Sequence, residues 1–512
     1  MSALGVVVTD VFDKLASHLR AVPHLAHFTQ QPVQGGLTGQ VQALVSQARH
    51  DLAGWKILEL FAVDQRQSSF SLSRTELVGR EIDAPFVASP MNLPTPATPA
   101  PARSFAAMRH PGYRMHFATY VLAMMADNIE HVISYWMMWQ KFHSPALGGF
   151  AVVSHWLPFL LFSVPVGALA DRFDPRRIIQ CGMVLFITAS LGWGYFFVTD
   201  SLQMWHAMVL LVIHGLAGVL WQTASQLLLH DIVPANELQS AVRLNATARY
   251  LGILVGPAVG GLMMLTLSPS HGILLNTVFY LPLLLWLWKA PYGPRFRLGK
   301  PAPRRAVRGL ADITQTIRDI SKQPVIVTMI LLAGGASFFI GGSYQAQMPG
   351  FAQDLGHGDP GVAYSMLLAA DAAGALLAGF ILESSGLLRA KPRTALMLPI
   401  IWCLALAGFA QASSYPLALV LLFTEGFFEL SFSSMTQTLV QMNAPADIRG
   451  RVIGLFNMSA LGLRTFSGVT VGLMGTLVGV HNSLAGSALV LLGLTVWLLT
   501  RTPRPVENLQ EP

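Results

Sequence analysis

Five acidic residues lie inside long apolar runs: Asp127 and Glu130 in "ADNIEHVISYW", Asp371, and Glu425 and Glu429 in "TEGFFELSFSS". A charged side chain at the centre of a membrane span costs about 2.5–3.5 kcal/mol on the mildest scale. Acids kept there must be protonated, paired or set in a water-filled cavity. On a helix, Asp127, Glu130 and His131 fall at i, i+3 and i+4 and share a face, as do Glu425 and Glu429 at i and i+4. Close carboxylates in a low dielectric titrate as coupled sites. A carrier that loads a proton on one side and releases it on the other needs such a group, and His131 could act as its relay. The plainer alternative is acids buried for structure and hydrogen-bonded to Ser or backbone. Arg249 and Arg464, also inside apolar runs, are the available counter-charges.

Other chemistries find no support. No G-x-x-x-x-G-K or G-x-G-x-x-G phosphate loop occurs, so no motif points to ATP as the driver. No His/Cys/carboxylate group has zinc spacing and no nucleophile elbow appears, so neither a metal site, a cofactor nor an enzymatic activity is expected. Cys181 and Cys403 are far apart in apolar runs and do not form a disulfide framework.

The elements that must position these acids follow from composition. The 512 residues are 53% hydrophobic and 12% charged, against about 25% charged in soluble proteins, so the chain reads as an integral membrane protein. No cleavable signal peptide is visible. Residues 1–93 are mixed and moderately polar; they read as a poorly ordered or partly helical cytoplasmic extension, or as an overextended start with Met108 as an alternative beginning. Residues 94–104 are a Pro/Ala linker. Apolar stretches of spanning length follow near 113–140, 146–170, 177–198, 203–229, 238–266 and 270–289, forming a first bundle within 105–290. After a basic cytoplasmic loop at 291–323, six more lie near 324–349, 360–384, 394–411, 416–441, 449–478 and 482–500, within 324–501. Residues 502–512 form a tail. With both termini cytoplasmic, the outer loops hold only Lys141 among the basic residues, while Arg172, Arg176, Arg177, Arg295–Lys322, Arg389, Lys391, Arg393, Arg449 and Arg451 fall inside. The central basic run suits a solvated linker near anionic lipid better than a nucleic-acid site.

The halves repeat. "PANELQSAVRLN" at 234–245 and "PADIRGRVIGLF" at 445–456 each open a span, and both lead to "GLM" at the same offset of 211 residues. This is a parallel repeat of six-helix units. "GALADRFDPRR" at 167–177 resembles the loop signature of the major facilitator superfamily between its second and third helices, through Gly167, Leu169, Asp171, Arg172 and Arg176. Together with "VPANELQSAVRLN" and "APADIRGRV", the Asp174–Pro175 variant of that loop is similar to the branch holding the enterobactin exporter and drug exporters. The resemblance covers about residues 105–500. It implies an all-α fold of twelve transmembrane helices in two bundles. It also implies that Asp171 meets the positive N-terminal end of the eleventh helix, where Arg449 and Arg451 lie, as a conformational latch. Asp174–Pro175 itself reads as an N-cap followed by Pro at the first helical position.

"GILVGPAVGG" at 252–261 looks like the fifth-helix signature of the superfamily's antiporters. Gly252, Gly256 and Gly260 share a face and permit close backbone approach, pictured as a sliding contact between bundles, with ordinary small-residue packing as the alternative; Gly261 extends the motif and Pro257 allows a bend. The resemblance places the first, fourth, seventh and tenth helices around a central cavity, so Tyr135, Trp136, Trp221, Phe338, Tyr344 and Phe428 are candidate substrate contacts, with lipid-facing or core packing as the alternative. The family's helix-four Arg is missing, and His214 stands in that helix.

The reading is an inner-membrane, proton-coupled exporter of small organic molecules of siderophore or amphipathic-drug type. Its partners are a small-molecule substrate, protons and the bilayer, without nucleic acid, and it acts as a monomer. A lysophospholipid flippase, a facilitator of the same fold and a non-transporting scaffold or sensor are the alternatives.

Overall fold

The computed structural model describes residues 104–297, 306–341, 344–345, 348–355, 360–385, 388, 390–467, 471 and 474–502. The expected extension at 1–93, the linker up to residue 103 and the tail beyond Thr502 lie outside the described residues.

The first half holds α1 (Pro111–Phe142), α2 (Pro145–Arg172), α3 (Pro175–Val198), α4 (Met204–Ile232), α5 (Leu238–Leu267) and α6 (Pro269–Lys289). A connector helix α7 (Ala311–Ile320) follows. The second half holds α8 (Pro324–Phe339), α9 (Met348–Asp354), α10 (Pro360–Ser385), α11 (Pro392–Ala410), α12 (Tyr415–Asn443), α13 (Arg449–Ala460), α14 (Met474–Val478) and α15 (Val480–Arg501). Prolines at the first turn set where many of these helices begin, because that position has no hydrogen bond to lose. Ser144 caps α2 by accepting from Leu147 N, and Asp174 caps α3 by accepting from Arg176 N at 3.0 Å. The second cap is the one read from Asp174–Pro175.

Each of the twelve expected spans falls on helix. Nine helices among the described residues are long and apolar enough to cross a membrane. The three remaining spans depart from a plain apolar rod. α1 is 32 residues long but is diluted by its buried polar face. The seventh span, expected as one helix over 324–349, stops at Phe339, and Gly341 follows at φ +58°, a left-handed conformation suited to Gly. The eleventh, expected over 449–478, leaves α-geometry at Leu461 for a 3-10 turn, Gly462–Phe466. Its repeat mate α5 is continuous, so the halves share landmarks but not helix continuity.

Within the first half, α1 packs on α5 and α6, α2 on α4, and α3 on α4 and α6. Within the second, α12 packs on α10 and α11, and α15 on α11. The halves meet where α2 lies along α13, and where α5 meets α10 and α12. Small residues make these approaches possible, as expected where lipid supplies no hydrophobic drive between helices. Gly450 sits against the backbone of Gly167, and Gly454 against that of Ser163 and Val164.

Candidate functional site

The α2–α13 junction is built on backbone amides. Asp171, at the end of α2, accepts from Gly450 N at 2.6 Å and Arg451 N at 3.1 Å, the first turn of α13. The Arg451 guanidinium adds a contact at 3.3 Å. A carboxylate at a helix N-terminus answers both the free N–H groups and the helix dipole. Gly167 allows the approach, since a Cβ there would strike the Gly450 carbonyl. Arg451 also reaches Asp312 of α7 at 3.3 Å and the Ala306 carbonyl at 3.0 Å.

Three basic residues of the two motifs, which with Gly167, Asp171 and Arg451 make up the expected latch, stand outside the junction. Arg172 is exposed and lies over the Phe173 ring. Arg176 pairs with Asp174 at 2.6 Å and donates to the Ala290 carbonyl, tying α3 to the end of α6. Arg449 makes no contact with Asp171 within ion-pair distance. Arg449 feels Asp171 only at longer range, and Arg451 is the one that pairs with it. A second seam joins α5 to the end of α10. Arg243 donates to the carbonyls of Leu382 and Leu388, and Ser240 donates to Glu383.

The five acids form two separate groups, one in each half. In the first half, Asp127 and Glu130 of α1 flank a single imidazole, His214 of α4. Its Nδ1 is 2.8 Å from Glu130 Oε1 and its Nε2 is 2.9 Å from Asp127 Oδ1. Ser190 of α3 donates to Glu130. His131 does not stand alone as a relay. Its ring meets those of His214 and His155, the latter on α2, at centroid separations of 4.6 and 4.8 Å.

In the second half, Asp371 of α10 and Glu425 and Glu429 of α12 bring ligand atoms within 4.8 Å of one another. Tyr344 donates toward Glu425 at 3.3 Å and Asp371 at 3.5 Å, and Gln345 toward Asp371 at 3.4 Å. Trp402 Nε1 donates to Glu425 at 2.5 Å, and Tyr250 of α5 donates to Glu429. Among the described residues no cation lies within ion-pair distance of this trio; Arg249 and Arg464 interact with Glu429 only at longer range. Asp371 Oδ1 and Glu425 Oε2 are buried without a hydrogen-bond partner from the chain.

A cavity of about 80 Å³ opens between the halves. Arg249 of α5 and Arg464 of the 3-10 turn line it with Gln226, Asn245, Ser433 and Gln437. Gln226 donates to Asn457 at 3.0 Å across the halves. Most lining side chains are polar, Tyr120 and Phe456 are the aromatic ones, and none of the six rings expected to line it does so. Trp221 is fully buried between Tyr120 and Phe186 inside the first half. Phe428 is buried in the second-half core, and Tyr344 belongs to the carboxylate trio. Tyr135 packs on His131; Trp136 and Phe338 face outward, 49% and 36% exposed. These rings follow ordinary rules of core and lipid-facing packing. Arg249 and Arg464 were legible in the sequence as membrane-depth charges, but not as partners across a cavity.

The glycine stripe also finds a different neighbour. Gly252 lies against Met124 and Met125, Gly256 against Asn128 and Met125, and Gly260 against Ile129 and Val132. All of these belong to α1, in the same half. The stripe is therefore an intrahalf packing face and not a contact between bundles. Gly261 meets nothing within 4 Å, and α5 runs through Pro257 without a break.

The family described as the Major Facilitator Superfamily matches residues 116–468. The chain is similar to an uncharacterized transporter of that type, YfiS, from Bacillus subtilis: 25% identical, covering 69% of this chain and 84% of the relative. It is also 25% identical to the multidrug efflux pump Tap of Mycobacterium tuberculosis, covering 74% of this chain and 91% of that one. Among solved structures, the human organic anion transporter MFSD10 matches with a TM-score of 0.61 at 15% identity, covering 77% of this chain and 99% of that one. The fucose:proton symporter FucP of E. coli matches with a TM-score of 0.58 at 12% identity, covering 78% and 100%. At these identities the two structures speak for the fold alone.

Proposed function

Because the chain belongs to the major facilitator superfamily, a family of multi-pass membrane transporters of small molecules, we propose that it is a proton-driven exporter of small organic molecules. It sits in the inner membrane with both termini cytoplasmic, works as a monomer and has no nucleic-acid partner. Export rests on the similarity to the efflux pump Tap. Proton drive rests on the Asp371–Glu425–Glu429 trio.

Asp371 and Glu425 are buried carboxylates with Glu429 beside them and no cation within ion-pair distance among the described residues, an arrangement that suits a proton-carrying site. Asp127 and Glu130 differ, because His214 stands between them as a shared partner. The coupling step is therefore assigned to the second half. Tyr250 links it to the substrate path: its hydroxyl reaches Glu429, and its neighbour Arg249 lines the central cavity. Glu425→Gln fixes one acid in a neutral form. In proteoliposomes loaded with an amphipathic fluorescent dye, this variant should still exchange dye in counterflow. Efflux driven by an imposed proton gradient should fall at least about tenfold, the loss of roughly 1.4 kcal/mol of coupling. Full gradient-driven efflux in Glu425→Gln overturns the assignment.

A further inference from the structure

We propose that His131, His155, His214 and Asp127 form a binding site for one divalent transition-metal ion of the zinc class, inside the first half. No local spacing announces it, because the three imidazoles come from α1, α2 and α4. The fold brings their ligand atoms within 4.8 Å of one another. Zinc holds imidazole nitrogens at about 2.0–2.1 Å in tetrahedral geometry, which places ligand atoms roughly 3.4 Å apart. The imidazole nitrogens therefore have to close by as much as about 1.4 Å on binding, and Asp127 joins the set through its 2.9 Å approach to His214.

Two further observations point to an ion. Asp127 Oδ1, His155 Nδ1 and His214 Nε2 are buried atoms with no hydrogen-bond partner. Asp127 and His214 are 6% and 3% exposed, and these two atoms face each other at ion-pair distance, 2.9 Å, without the alignment of a hydrogen bond. Behind them stands the outer shell that metal-bound imidazoles use. Glu130 Oε1 takes the Nδ1 side of His214, which leaves Nε2 for the ion, and Ser190 holds the other oxygen of Glu130. The charges also balance. Three neutral imidazoles with the carboxylates of Asp127 and Glu130 supply two negative charges against a divalent cation. A donor set dominated by imidazole suits Zn2+, Co2+, Ni2+ or Cu2+ and not Mg2+ or Ca2+.

The test uses the full-length protein in detergent, stripped with a chelator and titrated with Zn2+ against a chromophoric competitor. The expected result is one Zn2+ per chain. His131→Gln, His155→Gln and Asp127→Asn should each weaken binding tenfold or more, and Glu130→Gln about 10–100-fold, the usual effect of an outer-shell change. His143→Gln and His271→Gln, at exposed positions, should leave it unchanged. Co2+ should give the intense visible bands of a tetrahedral site in the unaltered protein and lose them in His155→Gln. An unchanged elution profile and metal-free Tm shows that each variant is folded. Binding well below one Zn2+ per chain, or a His131→Gln/His155→Gln double variant that binds Zn2+ as the unaltered protein does, overturns the site.

Discussion

Asp171 accepts from two consecutive backbone amides and one guanidinium, all belonging to the opposite half. The carboxylate is an acceptor toward every one of them. Asn in its place keeps the shape, loses the charge and turns an N–H donor toward an N–H donor. Hydrogen bonds to a charged group are worth about 1.5–3 kcal/mol each, so Asp171→Asn should shift the balance away from this closed junction by roughly tenfold or more. A cysteine at Ser433, on the cavity wall, reports it: labelling from the face that carries Asp171 should speed up in Asp171→Asn. Equal labelling rates in both backgrounds would mean that Asp171 does not hold the halves together.

The role of α5 is decided by what its glycines touch. A Cβ on Gly256 would fall 2.5 Å from the Cβ of Asn128, so Gly256→Leu must push α1 from α5. Both belong to one half, and the expected damage is to stability. Overpacking costs typically 1–3 kcal/mol, read as a lower Tm in detergent, with no rise in passive dye leak through proteoliposomes. A leak at unchanged Tm would restore a sealing role. The case marks what a single sequence discloses. The spacing of Gly252, Gly256 and Gly260 showed that some helix comes close, but the identity of that helix is a tertiary fact. The same limit hid the imidazole cluster, whose members lie on three helices, and the break at Leu461, where no Pro or Gly pair interrupts the apolar run. What depends on chain-local chemistry was visible. Apolar length located the helices, Asp174–Pro175 started α3, and the "GALADR" motif marked Asp171 before its partners were seen.

At the scale of the whole molecule, the Arg-rich end is held shut by Asp171–Gly450 and by Arg243–Leu388, while Gln226–Asn457 and Tyr250–Glu429 join the halves further in. Under the proposed topology that end is cytoplasmic, so the structure is closed toward the cytoplasm. Arg451 is 2% exposed and has two carboxylate partners of different kinds. Asp171 lies on the opposite half, whereas Asp312 lies on the connector α7. When the halves part, Arg451 loses the first and can keep the second. Leaving a buried charge with no partner costs about 3–5 kcal/mol, and much of that would otherwise weigh on the path out of the closed state. On the proposed transport cycle, the connector is expected to set its tempo. Asp312→Asn should slow single-turnover efflux about tenfold or more while dye affinity at equilibrium stays the same, and an unaltered rate would show that Arg451 crosses unaccompanied. A loop that ties two bundles together in space would also be the pacemaker of their exchange.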